Sequence, residues 1–158
     1  PMGRTAYGVR GITLREGDEV VAMEVVKPGG TLLTLTELGY GKRTPLDEYR
    51  VQSRGGVGLK NLDITAKNGR VIEIAQVNED KELLLITEWG KILRTPTGDI
   101  RTIGRATQGV RLMDLDEGDK VVSVALVDVD DEPLKDDEPS DEQTPPSEPP
   151  PSEDPPTE

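Results

Sequence analysis

Apolar residues in this chain come as short runs separated by polar turns. Leu32-Leu33-Thr34-Leu35-Thr36, Val71 to Val77, Leu83-Leu84-Leu85-Ile86-Thr87 and Val121 to Val127 are five to seven residues long and rich in Val, Ile, Leu and Thr. Each is bounded by Gly, Asp, Glu or Asn, the pattern expected of strands. Turn signals stand between the runs: Glu16-Gly17-Asp18-Glu19, Asn68-Gly69 and Glu117-Gly118-Asp119, then Pro28-Gly29-Gly30 and Asn78-Glu79-Asp80, then Gly39 and Gly90.

The runs repeat. Gly8-Val9-Arg10-Gly11-Ile12-Thr13-Leu14 returns at 58–64 and again at 109–115, at offsets of 50 and 51. A second element follows each time, at Val20 to Val26, Val71 to Val77 and Val121 to Val127. A third occurs twice, at 32–37 and 83–88, and a fourth twice, as Gly41-Lys42-Arg43-Thr44-Pro45 and Lys91-Ile92-Leu93-Arg94-Thr95-Pro96. About four strands per ~50-residue unit predicts an all-β, propeller-like array whose blades bury their faces against neighbours. A β-solenoid or a sandwich is the alternative. Two complete units and a fraction read as the C-terminal end of a larger array, with an unpaired edge at its first strands.

Charge divides the chain in two. Residues 128–158 hold 13 acids against the single base Lys135, together with 9 of the 13 prolines and no glycine. That composition predicts a disordered tail. Residues 1–127 hold 18 acids and 18 bases, and we read them as the folded body. The whole net charge of −12 therefore belongs to the tail.

Within the body the charges are sorted. Lys42, Arg43, Arg50, Arg54 and Lys60 fill one span, and Lys91, Arg94, Arg101, Arg105 and Arg111 fill the equivalent span one unit on. Arg followed by Gly four residues later occurs three times, at Arg4/Gly8, Arg54/Gly58 and Arg105/Gly109. Repetition in sequence implies repetition in space, so these residues, with Arg10, predict a curved basic stripe suited to a phosphodiester backbone. No interleaved aromatic set offers base stacking and no basic helix offers groove entry, which favours duplex DNA held by its backbone and bent. The competing reading is a set of solvated charges paired with nearby acids.

The chain has no Cys and no His, which excludes thiol chemistry, Cys/His zinc sites and His general bases. Tyr7, Tyr40, Tyr49 and Trp89 read as packing or linker residues, because no base stands ready to activate a tyrosine. The acids at 114–119 match no calcium loop. No catalytic or metal-binding residue is expected. No run of apolar residues approaches the ~20 needed to span a bilayer and no signal peptide opens the chain, so a cytoplasmic protein is expected.

Thr5-Ala6-Tyr7-Gly8-Val9-Arg10-Gly11-Ile12, Leu38-Gly39-Tyr40-Gly41-Lys42-Arg43-Thr44 and Gly104-Arg105-Ala106-Thr107-Gln108-Gly109-Val110 resemble the C-terminal domain family of DNA gyrase A. The resemblance covers residues 1–127. It implies a six-bladed β-pinwheel that wraps duplex DNA, of which this chain would be the last two to three blades. It further implies a type IIA topoisomerase that uses ATP and Mg2+ to introduce negative supercoils, with the rest of gyrase A and with gyrase B as partners in an A2B2 heterotetramer. No cofactor is expected on this chain, because the family's catalytic tyrosine lies in an upstream domain. Gln52-Ser53-Arg54-Gly55-Gly56-Val57-Gly58 matches the family box Gln-Arg-Arg-Gly-Gly-Lys-Gly at five of seven positions, with Ser53 and Val57 in place of two bases. The C-terminal domain of the topoisomerase IV counterpart of gyrase A is similar, and a β-repeat protein-interaction module is the alternative from another class.

The acidic tail beside a basic stripe predicts internal competition for DNA. Ending the chain at Val127 should tighten duplex binding at low salt. The gain should fade near ~0.5 M salt, where the Debye length is a few ångströms. Moving the tail to the N-terminus is the control: equal inhibition from both ends means bulk charge rather than docking.

Overall fold

The computed structural model describes residues 3–128; of the tail expected to be disordered, 128–158, only Asp128 is described and it ends a strand, and 129–158 lie outside the described residues. The described residues form seven strands: β1 (Thr31–Thr36), β2 (Tyr40–Pro45), β3 (Val71–Val77), β4 (Lys81–Thr87), β5 (Ile92–Pro96), β6 (Val110–Arg111) and β7 (Val121–Asp128). The all-β expectation holds. The only helical segments among these residues are single 3-10 turns, Leu46–Glu48 and Thr97–Asp99, each entered from the Pro that ends a strand.

The strands form two antiparallel sheets, ordered β3-β1-β2-β6 and β5-β4-β7. Neither sheet is made from one repeat. β1 and β2 are the third and fourth elements of the first unit, β3 is the second element of the next unit, and β6 is the first element of the unit after that. The second sheet repeats this rule. Leu33 lies opposite Ala75 and Leu84 opposite Ala125, and both ladders slip at the equivalent place, Leu35/Thr36 and Ile86/Thr87. The hairpin tips also correspond. The carbonyls of Thr36 and Thr87 each accept the turn N–H, from Gly39 and Gly90, at 3.1 Å.

This exchange of strands corrects the element assignment. Val20 to Val26, Gly8 to Leu14 and Gly58 to Ile64 form no strand, and of 109–115 only Val110–Arg111 does. A second element pairs with the third element one unit earlier, and among the described residues no third element precedes Val20. Consequently Val20, Val21, Met23, Val25 and Val26 are exposed, as expected of an unpaired edge.

One core lies between the sheets. Leu33, Leu35 and Val77 of the first sheet meet Leu83, Leu85 and Val121 of the second, with Ile100 and Met113 from the connecting segments. β4 alternates strictly, burying Leu83, Leu85 and Thr87 and leaving Leu84 and Ile86 half-covered on the other face. β1 is buried on both faces, because later segments cover Leu32, Thr34 and Thr36 on the side away from this core.

Leu85→Ala removes a fully buried side chain from the inter-sheet core and should cost about 3 kcal/mol of stability. Ile86→Ala, on the half-covered face of the same strand, should cost clearly less. Urea unfolding followed by circular dichroism reads both.

Candidate nucleic-acid interface

Each fourth strand is followed by a link that turns sharply into the next first element. Gly8, Gly58 and Gly109 close these turns with φ of +86°, +81° and +78°. At Gly109 a Cβ would stand 3.0 Å from the Gly41 carbonyl oxygen, so both the dihedral and the space require glycine.

The links stack on the preceding first element in one recurring geometry. The Thr13 N–H donates to the Gly56 carbonyl at 2.8 Å, and one unit on the Asp63 N–H donates to the Thr107 carbonyl at 2.9 Å. The Gly55 N–H and the Thr13 hydroxyl tighten the first junction, donating to Gly11 O at 2.9 Å and Gly55 O at 2.7 Å. In the second, Asn68 Nδ2 donates to Gln108 O at 3.0 Å. Arg10 is thereby brought to the Arg54 link and Lys60 to the Arg105 link.

The basic residues named from sequence fall into three groups. Arg4, Arg10 and Arg54 are exposed, Arg105 is half-buried, and none of the four has an ion pair among the described residues. All four lie on or beside links. Lys60, Lys91, Arg94 and Arg111 are exposed but paired, with Asp63, Asp116, Glu82 and Asp114 respectively. Such surface pairs contribute only about 0–1 kcal/mol and yield readily to a stronger anion. Arg50 and Arg101, equivalent link residues that sequence reasoning placed in the basic spans but not among the contacts, are exposed and unpaired among the described residues. In the box-like motif Gln52, Arg54, Gly56 and Gly58 are exposed and Gly55 is half-buried against Gly11.

Lys42 and Arg43 form the third group and correct the sequence reading, because neither reaches the surface. Lys42 is fully buried. Its ammonium donates to the main-chain carbonyls of Asn61 (2.6 Å), Gly104 (2.8 Å) and Arg105 (2.6 Å). Arg43 turns to the other face of β2, where Nε donates to Ile100 O at 2.8 Å and Nη2 to Gly98 O at 3.0 Å. Both charges serve carbonyls of the segment that follows β5, which runs alongside β2 through a parallel bridge between Arg43 and Thr102.

Aromatic rings support two of the arginines. The Arg105 guanidinium carbon is 5.7 Å from the Tyr49 ring centre, and the Arg105 main-chain N–H donates to Glu48 Oε2 at 3.1 Å. Nη1 of Arg105 has no hydrogen-bond partner among the described residues. Arg111 and Lys67 both lie over the Tyr40 ring, at 5.6 and 5.7 Å, and Arg111 also donates to the Tyr40 hydroxyl. These contacts are cation–π geometries. They give Tyr40 and Tyr49 more than the packing role expected of them, whereas Tyr7 and Trp89 are exposed.

Burial pushes the Lys42 ammonium below the usual lysine range, against the opposing carboxylates of Glu48 and Asp63 and with help from Arg105. Burial likewise pushes the Tyr49 phenol up. Hydrogen bonds to Tyr40 and Asp114 raise Arg111 further. Burial alone would push Asp119 up, but hydrogen bonds from Thr87 and from the N–H groups of Lys120 and Trp89 hold it below the usual carboxylate range. Among the described residues no three His, Cys, Asp or Glu side chains converge to hold a metal, and no helix is long and apolar enough to cross a membrane.

The comparisons with known proteins agree with this architecture. The family described as "DNA gyrase C-terminal domain, beta-propeller" matches three consecutive stretches, residues 1–27, 30–78 and 81–128. The second stretch runs from the third element of one unit to the second element of the next. Over 142 residues the chain is 47% identical to the DNA gyrase A protein of Staphylococcus aureus (strain NCTC 8325 / PS 47), covering 87% of this chain and 16% of that protein. Among solved structures it is similar to a DNA gyrase A C-terminal domain (TM-score 0.70, 36% identity, 75% of this chain and 41% of that one). It is also similar to the C-terminal domain of a DNA topoisomerase IV (TM-score 0.69, 27% identity, 77% of this chain and 38% of that one). The chain thus spans about a sixth of the length of the curated relatives.

Lys42→Met keeps the volume but removes a donor shared by three part-buried carbonyls. It should destabilise the fold by about 2–4 kcal/mol in urea unfolding. Lys60→Met, on the surface, should change stability by less than about 0.5 kcal/mol.

Proposed function

This chain belongs to the DNA gyrase C-terminal β-propeller family, and from that premise we propose that it is DNA-wrapping surface of a gyrase A protein, holding duplex DNA by its phosphates. The observation that carries the reading is the recurrence of the junction. Two successive links stack on two successive first elements through the same main-chain hydrogen bond, and each presents an arginine with no ion pair among the described residues, Arg54 and then Arg105. A duplex laid along the array meets these residues in series, with Arg4 and Arg10 before them. Lys60, Lys91, Arg94 and Arg111 join by exchanging a carboxylate for a phosphate.

The chain's part in the reaction is binding and bending. Contacts to phosphates fix register without reading sequence, and a curved row of them stabilises bent DNA. Strand cleavage, ATP use with Mg2+ and negative supercoiling belong to the rest of gyrase A and to gyrase B, in an A2B2 assembly working in the cytoplasm. Gyrase is favoured over topoisomerase IV by the higher identity of the matches, 36% against 27% for domains of nearly equal structural similarity.

Arg54→Ala and Arg105→Ala should each weaken binding to duplexes of unrelated sequence to the same extent. Each should lower the slope of log affinity against log salt by about 0.9, the value for one lost phosphate. Unchanged affinity and slope in both would reject the contacts, and salt-insensitive binding by the parent chain would reject the reading as a whole.

A further inference from the structure

The two hairpins of this fold are equivalent, yet the positions lining one face differ in kind. In the first, Thr34, Lys42, Tyr49 and Asn61 occupy four positions of the repeat. One unit later, at a constant offset of 51, the same positions hold Leu85, Leu93, Ile100 and Leu112. The second set is ordinary core: Leu85 and Ile100 are buried in the inter-sheet cluster and Leu93 and Leu112 pack against it.

The first set forms a hydrogen-bonded network in place of that core. Asn61 Nδ2 donates to the Thr34 hydroxyl at 2.9 Å, and the Tyr49 hydroxyl donates to Asn61 Oδ1. Lys42 donates to the Asn61 carbonyl and, across to a different repeat, to the carbonyls of Gly104 and Arg105. A buried ammonium and three further polar side chains replace four apolar ones, a substitution that general packing does not favour. The difference between the two places is what lies over them. The link 101–109 crosses the first hairpin, whereas no link crosses the second among the described residues.

We propose that the quartet Thr34, Lys42, Tyr49 and Asn61 positions Arg105 for its phosphate contact, an inference that rests on the proposed role of Arg105 in DNA binding. Lys42 clamps the carbonyls of Gly104 and Arg105 itself, which fixes the backbone where the side chain departs. Glu48 holds the Arg105 N–H from outside, and the Tyr49 ring lies beneath the guanidinium, its hydroxyl anchored on Asn61. Arg105 is thereby half-buried and oriented before any ligand arrives, and less side-chain freedom is lost on contact. Arg54, whose link has no such quartet beneath it among the described residues, is exposed. Lys42 itself touches no ligand. Its charge is spent on main chain, facing Glu48, Asp63 and Arg105.

The test gives the first hairpin the residues of the second. In the 158-residue chain, T34L, K42L, Y49I and N61L are combined, and Lys42→Met and Tyr49→Leu are made singly. Circular dichroism and urea unfolding report the fold; fluorescence anisotropy with a labelled duplex of random sequence reports affinity against salt. The quadruple variant should fold, since one unit of this protein already builds the apolar version. Its salt slope should fall by about 0.9, the loss produced by Arg105→Ala. Adding Arg105→Ala to the quadruple, or to either single variant, should bring no further loss beyond about twofold, whereas Arg54→Ala should still add its full effect. Lys42→Arg keeps the charge but cannot converge on three carbonyls, so it should behave like Lys42→Met. Parent-like slope in the folded quadruple and in Tyr49→Leu, or losses that add fully to those of Arg105→Ala, would overturn the positioning role while leaving the Arg105 contact intact. An Arg105→Ala variant that binds like the parent would bring down the contact and the positioning role together. Should Lys42→Met unfold the chain, the quadruple and Tyr49→Leu decide by the same comparison.

Discussion

Every sheet here is completed by a strand from a later repeat, and most of the surface follows from that exchange. β3 reaches back to β1, β7 reaches back to β4, and β6 reaches back across two units to β2. No repeat can satisfy its own backbone hydrogen bonds, so each must lie at a set distance and angle from its neighbours. The links are the chain segments that make the crossing. Their arginines are therefore spaced by sheet pairing and not by the charges themselves. A register slip of one residue at β1–β3 would turn Leu33 and Leu35 outward and move the link with them. The inter-sheet core consequently enforces the spacing of the links.

Much of this was legible in the sequence. The period, the strand content, the turns and the recurrence of Gly58 and Gly109 four residues after an arginine all come from aligning the chain with itself. The exchange was not legible, because a repeat reveals which elements are equivalent but not which of them pair. Val20 to Val26 has the composition of a strand and lacks only a partner. Lys42 and Arg43 mislead for a different reason. Charge suggests a surface, and Tyr40-Gly41-Lys42-Arg43-Thr44-Pro45 carries no apolar alternation to contradict it. The aligned strand Lys91-Ile92-Leu93-Arg94-Thr95-Pro96 does, since its Leu93 occupies the Lys42 position and packs against the core. The separation of free from paired arginines was out of reach, because partners such as Lys91 and Asp116 meet only through the fold.

The buried lysine shows how a costly group becomes acceptable. An ammonium taken from water loses its hydration and is stable only if its protons find acceptors. Three main-chain carbonyls converge on Lys42, those of Asn61, Gly104 and Arg105, and the last two also accept from the Thr107 hydroxyl and the Thr107 N–H. The ammonium exchanges its hydration for these carbonyls, so the charge depends on the chain segments that supply them. Over the second hairpin no link lies among the described residues, and the equivalent position holds Leu93, which packs against the core. Among the described residues, the polar face is the one that a link contacts.

The same distinction between local and total charge governs how such a body can hold a polyanion. Residues 1–127 carry no net charge and the whole chain carries −12. Summed at long range, this protein repels DNA. At physiological ionic strength, however, charges more than about 8 Å apart are largely screened. A duplex at the surface therefore senses the links beneath it and little of the acid-rich turns beyond. Among the described residues the link arginines have no ion pair, whereas several of the body's carboxylates already hold a lysine or arginine, among them Glu82, Asp63, Asp114 and Asp116. Sorting does what excess positive charge would do, without the self-repulsion that a strongly basic fold would carry. Under the proposed function it also confines attraction to the links, whose order along the body follows from the order of the strands.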